Sequence, residues 1–320
     1  MRWQRPSWWQ YDTLLARTLD PVGRLYGLGT QARLQWVRSW QAPVPVICVG
    51  NVTAGGVGKT PVVLDLLKRL PGAHALTRGY GGTLSGPMPV DMSRHAACDV
   101  GDESLLLARH APTWVAHHRI RGAKAAVQAG ATHIVMDDGF QNPSLAKTVS
   151  FLVIDGQEGF GNGRIIPAGP LRERPEQAWK RASALVLFGD DQTGILRHIP
   201  VTLPVFRARL NACDIPEQWR GHRVYAFAGI GQPNKFFHTL RTLGADVTET
   251  RTFPDHYFYT TRDILSLHEA ARVHNAQLVT TEKDIVRLDP DLRKSIHTVP
   301  VQVSWDDENH LTSFLEEQIL

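Results

Sequence analysis

From residue 44 onward, short apolar runs rich in β-branched residues alternate with segments of helical periodicity. The first pattern is typical of buried strands and the second of amphipathic helices. In chain order these runs are VPVICVG (44–50), PVVLDLLKRL (61–70), HALTRG (74–79), DESLLLARH (102–110), TWVAH, RIRGAKAAVQAG and HIVMDDG. Strict alternation of strand and helix predicts βαβ units, and therefore a mainly parallel sheet with helices on both faces.

The alternation is interrupted between residues 156 and 176 by GQEGFGNGRIIPAGPLRERPE, a stretch rich in glycine and proline. Loops of this length inside compact proteins are usually functional or disordered, and the arginines and glutamates here favour function. Strand and helix patterns resume at 183–189, 223–231, 234–245, about 261–274 and 277–288. They predict a second α/β set, and therefore two lobes with a cleft between them.

These patterns divide the chain into three predicted parts. Residues 1–40 are an N-terminal amphipathic segment, and residues 41–150 are the first lobe. Residues 151–320 are a second, smaller α/β/α lobe that closes over the cleft, with a terminal part that can pack back on the first lobe.

The N-terminal segment differs in composition from the rest of the chain. Residues 1–40 hold six arginines and two aspartates, so their charge equals the +4 of the whole protein, and they hold five of its nine tryptophans. Arginine, tryptophan and leucine on a helical pattern suit a helix in a membrane interface. An amphipathic helix packed on the protein body explains the same pattern. Nucleic acid is a third reading, but the rest of the chain has no comparable basic stripe.

Composition otherwise indicates a soluble globular protein, with 42% hydrophobic and 21% charged residues in 320. Three isolated cysteines, Cys48, Cys98 and Cys213, suggest neither a disulfide framework nor a thiolate metal site. No apolar run approaches the roughly 20 residues of a spanning helix, and the start lacks a signal peptide. We therefore predict a location in the cytoplasm.

The stretch VGNVTAGGVGKTPVV (49–63) nearly matches the phosphate-binding P-loop G-x-x-x-x-G-K-[ST], with threonine in the first position. A predicted strand precedes it and a predicted helix follows, which is the context that such a loop requires. Lys59 would reach the β- and γ-phosphates and the Thr60 hydroxyl would face Mg²⁺. A glycine-rich turn that ends in Gly-Lys-Thr is the alternative. The predicted nucleotide-binding residues are Thr53, Ala54, Gly55, Gly56, Val57, Gly58, Lys59 and Thr60.

Two adjacent carboxylates, Asp137 and Asp138, directly follow the apolar strand in HIVMDDG. This is the layout of a Walker-B segment, in which one carboxylate faces Mg²⁺ and the other a water, a lysine or the substrate. An acidic turn, Asp-Asp-Gly, is the alternative. Coupled to the loop upstream, the pair is predicted to lie at the metal.

A P-loop with metal ligands serves an ATPase, a GTPase switch or a kinase, and a kinase also needs a group to accept the proton of the acceptor hydroxyl. Asp102 opens a predicted helix in the first lobe, and His256 lies in a polar, aromatic turn of the second. An Asp–His pair across a closed cleft would be a suitable base. The spacing alone leaves that contact open.

Eight stretches, taken in order, resemble the tetraacyldisaccharide 4'-kinase (lipid A 4'-kinase) family. They are VGNVTAGGVGKTP, TRGYGG, GDE, DDGFQN, GFGNGRIIPAGPLRE, FAGIGQPNKFF, FPDHYFYT and TTEKDIVRL. The resemblance implies a kinase that uses ATP and Mg²⁺ to phosphorylate the 4'-hydroxyl of a tetraacyldisaccharide 1-phosphate, forming lipid IVA in lipid A biosynthesis. It also implies a P-loop NTPase-like lobe joined by a two-stranded linker to a second α/β/α lobe.

Roles are implied for individual residues by the same resemblance. Asp102 matches the proposed catalytic base, with His256 as its partner, while Lys59 and Asp138 complete the catalytic set and Thr60, Asp137 and Asp138 the metal set. Further residues fall in stretches that line the family's cleft and are assigned to the substrate. They are Arg78, Tyr80, Arg119, Gln141, Asn162, Arg172 and Glu173.

Two positions depart from the family pattern. The segment HHRIRGAK offers Arg119 and Arg121 for a single arginine, and Tyr257 stands where a second histidine is frequent after His256. Spacing favours Arg119.

Family membership would also make the N-terminal segment a monotopic anchor at the cytoplasmic face of the bacterial inner membrane. Its expected partners are the lipid disaccharide and anionic lipid headgroups, with no nucleic acid and no obligate protein partner. The alternative function is a membrane-associated P-loop ATPase or GTPase switch that phosphorylates no sugar. For TTEKD, an ion-paired turn with a helix capped by Thr281 and a role at the substrate stay open.

Overall fold

A computed structural model describes residues 6–56, 58–213 and 219–319, and Val57 of the predicted phosphate loop lies outside these ranges. Two β-sheets organise the described chain. The strands are β1 (Val46–Gly50), β2 (Ala73–Thr77), β3 (Met88–Pro89), β4 (Thr113–Val115), β5 (His133–Asp137), β6 (Val149–Asp155), β7 (Ala184–Phe188), β8 (Val205–Ala212), β9 (Arg223–Ala228), β10 (Asp246–Thr252), β11 (Gln277–Thr281), β12 (His297–Val299) and β13 (Val301–Trp305).

Helices cover both faces of these sheets. They are α1 (Leu14–Trp36), α2 (Lys59–Arg69), α3 (Ala97–Val100), α4 (Asp102–Ala108), α5 (Arg119–Gln128), α6 (Pro175–Trp179), α7 (Pro233–Thr242), α8 (Thr261–Val273), α9 (Glu282–Ile285), α10 (Pro290–Arg293) and α11 (Glu308–Ile319). Short 3₁₀ helices cover Ser7–Trp9 and Ile195–His198.

The larger sheet has the strand order β13-β8-β7-β6-β1-β5-β2-β4-β3. Its pairs are parallel except at the two edges, where β3 runs antiparallel to β4 and β13 antiparallel to β8. The central strand β1 is buried along its whole length, as are β2, β6 and β7. Burial on both faces explains why these strands are continuous apolar runs in the sequence.

Two apolar clusters pack against the two faces of this sheet. On one face, α2, α4 and α11 contribute Leu66, Leu107 and Leu311, all inaccessible to solvent. On the other face, α5 and α6 contribute Ala126 and Trp179. The amphipathic patterns of the predicted helices therefore face a common sheet.

The smaller sheet has the order β10-β9-β11-β12 and is parallel throughout. Helix α8 covers one face through Ile264 and Leu267, and α7 covers the other through Phe237 and Leu240. This is an α/β/α layer arrangement. The predicted fold class, a parallel-sheet lobe with a second, smaller α/β/α lobe, is confirmed.

The sheets divide the chain differently from the predicted boundary at residue 150. Strands β6, β7 and β8 belong to the larger sheet, the chain leaves that sheet after β8, and it returns through β13, which pairs antiparallel with β8. The glycine- and proline-rich stretch that suggested a boundary lies instead between β6 and α6. We call residues 156–174 the connecting loop. It packs on the first lobe through Ile165 and Leu171, which are buried.

Helix α1 lies on the connecting loop and leaves most of its apolar side chains in solvent. Within α1 only Ala16 and Gly23 are buried, and Arg164 of the loop bridges Asp12 and Asp20 at 2.9 Å. The exposed apolar residues of the helix include Leu14, Leu15, Val22, Leu25, Tyr26, Leu28 and Trp36. Among the helices of the described residues, none has the length and apolar character needed to cross a bilayer.

The docking of α1 can be tested with a pair of helical glycines. A Cβ atom at Gly23 would lie 2.5 Å from the carbonyl oxygen of Ile165, whereas one at Gly29 would meet nothing within 4 Å. We expect Gly23→Ala to lower the free energy of unfolding by about 1–3 kcal/mol through overpacking. Gly29→Ala should leave it unchanged or raise it by about 0.5–1 kcal/mol through helix propensity.

Chemical denaturation of the two variants beside the parent protein measures this difference. Equal stabilities for the two alanine variants would contradict the close packing of α1 on the connecting loop.

Candidate active site

The candidate site lies where the central parallel strands of the larger sheet end. β1 pairs with β5 so that Val49 stands beside Asp137, the last residue of β5. In open parallel sheets ligands bind outside the carboxyl ends of the strands. The segment after β1 and the Asp-Asp pair at the end of β5 therefore share one edge, as the sequence predicts.

The glycine-rich loop, residues 53–60, joins β1 to the first turn of α2. Gly55 and Gly58 have φ values of 119° and 87°, which favour glycine, and a Cβ at Gly58 would come within 2.9 Å of the Phe188 ring. Lys59 and Thr60 are the first residues of α2, which has no side-chain cap at its N-terminus. Uncapped N–H groups and the positive helix end together suit a phosphate group.

Asn51, directly after β1, contacts both the backbone and the lysine of this loop. The sequence analysis did not identify it. Its side chain is buried; Nδ2 donates to the Thr53 carbonyl at 2.6 Å, and Oδ1 accepts from Lys59 Nζ at 3.3 Å. One amide thus positions both the loop backbone and the lysine. The available signal was a polar residue at the end of a fully apolar strand.

The connecting loop supports the glycine-rich loop from the other side. The Ala54 amide donates to the Pro170 carbonyl and the Arg172 amide donates to the Val52 carbonyl, both at 2.7 Å. Thr53 and Leu171 form an isolated antiparallel bridge between these bonds. Thr53, in the position where glycine is usual, is therefore paired with Leu171 of the connecting loop.

Asp138 forms an ion pair with two cations of the site. Arg172 Nη1 lies 2.9 Å from one carboxylate oxygen and 3.1 Å from the other, and Lys59 Nζ lies 3.6 Å from Asp138. Burial raises the pKa of Asp138, but the charges of Lys59 and Arg172 outweigh burial and lower this pKa to about 2. Asp138 is therefore ionised at neutral pH.

Asp137 has the opposite electrostatic environment. Its carboxylate is buried, and neither oxygen has a hydrogen-bond partner. Burial, followed by the negative charge of Glu103, raises the pKa of Asp137 to about 7. A buried carboxylate without hydrogen-bond partners suits a hard divalent cation that keeps several other oxygen ligands. In the part of the chain that the structure describes, no three His, Cys, Asp or Glu side chains form a complete metal site by themselves.

Arg119 is buried near the two aspartates, whereas Arg121, the other candidate, is exposed. Arg119 Nη1 donates to the Ala116 carbonyl, and Arg119 Nε has no hydrogen-bond partner. Burial and the charge of Arg78 lower the pKa of Arg119 to about 10, while Asp137 and Asp138 act in the opposite direction. The guanidinium stays charged and leaves a donor unused beside the site.

Asp102 and His256 meet across the cleft. Asp102 is the first residue of α4 and is buried, and its Oδ2 lies 2.9 Å from His256 Nδ1. His256 has a φ of 56°, a left-handed conformation held by hydrogen bonds from its amide to the Gly229 carbonyl and to Asp255 Oδ1. The structure thus brings together the pair that the sequence analysis left open.

Two cations from TTEKDIVRL lie close to this pair, and the sequence analysis identified neither contact. Arg287 Nε donates to Asp102 Oδ2 at 2.7 Å, and Lys283 Nζ lies 3.0 Å from Glu103. Burial raises the pKa of Asp102, but the charge of Lys283, the His256 hydrogen bond and the charge of Arg287 hold it well below its usual range. The predicted cap is present as well, since Thr281 accepts a hydrogen bond from the Asp284 amide.

Of the remaining residues predicted to bind substrate, two are exposed at the cleft and two contact the support of the glycine-rich loop. Tyr80 is exposed at the cleft with its ring edge-on to His256, 5.7 Å between centroids, and Arg78 is exposed nearby. Gln141 donates to the Asn51 carbonyl at 2.7 Å and to Glu173 at 3.1 Å. These contacts place Gln141 and Glu173 in the support of the glycine-rich loop.

Asn162 lies away from the cleft, in the connecting loop. Its Nδ2 donates to the carbonyls of Trp8 and Ala168, and its backbone amide donates to the Trp9 carbonyl. Its Oδ1 accepts from the Arg164 amide. Asn162 therefore ties the N-terminal residues to the loop, and a substrate role for it stays a prediction.

Comparison with protein families gives one match over nearly the whole chain. The family model described as "Tetraacyldisaccharide-1-P 4'-kinase" (LpxK) matches residues 15–320. A curated tetraacyldisaccharide 4'-kinase of Rhodospirillum centenum is 50% identical over 311 residues, which cover 94% of this chain and 91% of the relative. One of Gluconacetobacter diazotrophicus is 51% identical over 296 residues, which cover 91% and 90%.

A solved structure is also similar to this chain. It is LpxK from Aquifex aeolicus in complex with ATP, which superimposes with a TM-score of 0.76 at 26% sequence identity. The match covers 96% of this chain and all of that one.

The opposite environments of the two aspartates predict opposite effects on stability. The pKa of Asp137 is raised in the folded state, so between its ordinary value, 3.8, and about 7 the folded protein binds more protons than the unfolded chain. Stability is therefore lost as the pH rises through this range. We expect Asp137→Asn to raise the unfolding free energy at about pH 8 by roughly 1–3 kcal/mol, and much less at about pH 5.

Asp138→Asn is the matched control. The pKa of Asp138 is lowered and its charge is paired with Arg172, so this substitution should lower stability at both pH values. Denaturant unfolding of the metal-free and nucleotide-free protein at the two pH values measures both effects. A loss of stability in Asp137→Asn at about pH 8 would contradict the environment assigned to Asp137.

Proposed function

The chain belongs to the tetraacyldisaccharide-1-P 4'-kinase family, and on that basis we propose a mechanism in which the two lobes hold ATP and a lipid disaccharide across one cleft. The protein is an ATP-dependent kinase of lipid A biosynthesis that phosphorylates the 4'-hydroxyl of tetraacyldisaccharide 1-phosphate to form lipid IVA. The observation that carries the mechanism is the Asp102–His256 pair, which joins the two lobes across the cleft.

The glycine-rich loop would hold the phosphates of ATP as a P-loop. The N–H groups at the start of α2 provide donors, and Lys59, held by Asn51 and Asp138, provides a positive charge for the β- and γ-phosphates. Asp137 and Thr60 would hold Mg²⁺, which supplies neutralisation of phosphate charge when bound. The unpaired oxygens of Asp137 support this assignment.

Asp102 is suited to orient the acceptor hydroxyl through one particular oxygen. Its Oδ2 is occupied by His256 and Arg287, whereas Oδ1 accepts one bond, from the Glu103 amide at 2.9 Å. Oδ1 therefore keeps a lone pair for the 4'-hydroxyl proton. A carboxylate of low pKa is a weak base, but the loose transition state of phosphoryl transfer depends mainly on positioning, so a base that orients the hydroxyl suffices.

The exposed face of α1 supports a peripheral, monotopic association with the cytoplasmic face of the bacterial inner membrane. Leu14, Leu25 and Trp36 are 79%, 68% and 84% exposed on a helix that also carries arginines, so apolar burial and attraction to anionic headgroups would act together. Not every N-terminal tryptophan takes part. Trp9 is buried, with its indole N–H bonded to the Pro167 carbonyl.

Transfer of label from [γ-³²P]ATP to the lipid disaccharide tests the mechanism. We expect Lys59→Met and Asp102→Asn each to lower turnover by about 10²–10⁴-fold, because positioning and charge stabilisation supply most of the rate. Lys294→Met and Asp291→Asn are matched controls at an exposed surface pair and should leave turnover unchanged. Near-normal turnover by Asp102→Asn would refute the base assignment, and label found only in free phosphate would support the switch alternative.

Membrane association has its own test. Replacing Leu14, Leu25 and Trp36 together by glutamine should lower partitioning onto vesicles of phosphatidylethanolamine and phosphatidylglycerol by at least about tenfold, since each apolar side chain buried contributes roughly 1.5–3 kcal/mol. Leu265→Gln with Val273→Gln, at exposed sites on α8, is the control and should partition normally. Unchanged partitioning of the α1 variant would refute the anchor.

A further inference from the structure

Arg287 belongs to the second lobe but reaches the candidate base of the first. Its side chain is 1% exposed, and its Nε donates to Asp102 Oδ2 at 2.7 Å. Its Nη1 donates to the Gly229 carbonyl at 2.7 Å and to Asp284 Oδ1 at 2.8 Å. Nη1 is thus bonded within the second lobe and Nε is bonded to the first lobe. These bonds fix both the position and the plane of the buried guanidinium.

The second lobe prepares this geometry through Asp284. Asp284 is completely buried; its Oδ1 accepts from the Gly229 amide at 3.0 Å and from the Tyr259 hydroxyl at 2.8 Å. Its Oδ2 accepts from the Thr281 hydroxyl at 2.6 Å. The guanidinium therefore sits on a hydrogen-bonded support that exists within the second lobe.

The same backbone segment also positions His256. The Gly229 carbonyl accepts from Arg287 Nη1 and from the His256 amide, at 2.7 and 3.1 Å. One carbonyl thus anchors the Arg287 side chain and the His256 backbone, and both residues bind Asp102 Oδ2. Together they hold Oδ2, while Oδ1 accepts a hydrogen bond from the Glu103 amide.

We propose that Arg287 is a positioning residue for phosphoryl transfer, which fixes the Asp102 carboxylate so that Oδ1 meets the acceptor hydroxyl. The inference rests on the proposed role of Asp102 as the base. Because the support of Arg287 lies in the second lobe, Asp102 is oriented for reaction only while the lobes are together. Arg287 itself contacts no substrate and acts through Asp102.

Several charged and titratable groups surround Asp102 in addition to Arg287. These groups come from α4, from the loop before α8, and from α9 with its flanks. They are Glu103, Asp255, His256, Lys283 and Asp284. Removing Arg287 leaves more negative charge around Asp102, so the acid limb of the turnover profile moves to higher pH.

A double-mutant cycle with Asp102→Asn tests the proposal. Arg287→Met should lower kcat by about 10–100-fold with the KM for ATP within about twofold, and shift the acid limb of the kcat profile to higher pH. Arg287→Lys keeps the charge and loses the fixed plane, so its loss should be smaller, with a smaller pH shift. In the Asp102→Asn background, Arg287→Met should change kcat by less than about twofold.

Arg272→Met, at an exposed arginine on α8, is the control and should match the parent protein. Full additivity with Asp102→Asn, or a raised KM for ATP with unchanged kcat, would overturn the proposal. If Arg287→Met does not fold, Arg287→Lys takes its place in the cycle, and its effect must vanish in the Asp102→Asn background. Near-normal activity of Asp102→Asn would refute the base assignment, whereas a strongly impaired Asp102→Asn with additive Arg287 effects would refute this inference alone.

Discussion

The buried charge of Asp102 is the constraint on which the arrangement of the two lobes depends. A carboxylate removed from water is costly unless cations and hydrogen bonds compensate for it. The first lobe contributes the amide of Glu103, and the second lobe contributes Arg287 and His256. The carboxylate that we propose as the base therefore also requires the lobes to remain together, so in the proposed mechanism catalytic geometry and domain geometry have one electrostatic origin.

A second polar contact between the lobes lies at the end of another strand of the larger sheet, and it has the same distribution of acid and donor. Asp155, at the end of β6, pairs with Lys235 of the second lobe at 2.9 Å, and Glu158 accepts from Gln232. In both places the first lobe supplies the acid and the second the donor. A shared apolar cluster that includes Leu105 of the first lobe adds buried area between the two polar contacts. Apolar burial supplies attraction without direction, and the polar pairs specify one orientation.

Much of the fold could be predicted because the alternation of strand and helix is a local pattern. Asp102 and His256 could be singled out, although 154 residues apart, because one opens a helix and the other lies in a polar turn. Arg287 could not, because TTEKDIVRL is explained equally well by a helix capped by Thr281, and that cap exists. Nor could the sheet membership of β6–β8, since strand pairing is a long-range property that composition does not encode.

The contacts of the connecting loop link two separate parts of the chain. Asn162 and Arg164 bind the N-terminal residues and α1, while Pro170 and Arg172, a few positions later, bond the backbone on either side of Thr53. Helix α1 and the glycine-rich loop are thus both held by one short segment of the connecting loop. A substitution that displaces α1 would therefore also disturb residues 162–172 and, through them, the backbone beside Thr53, although more than a hundred residues separate α1 from this part of the connecting loop.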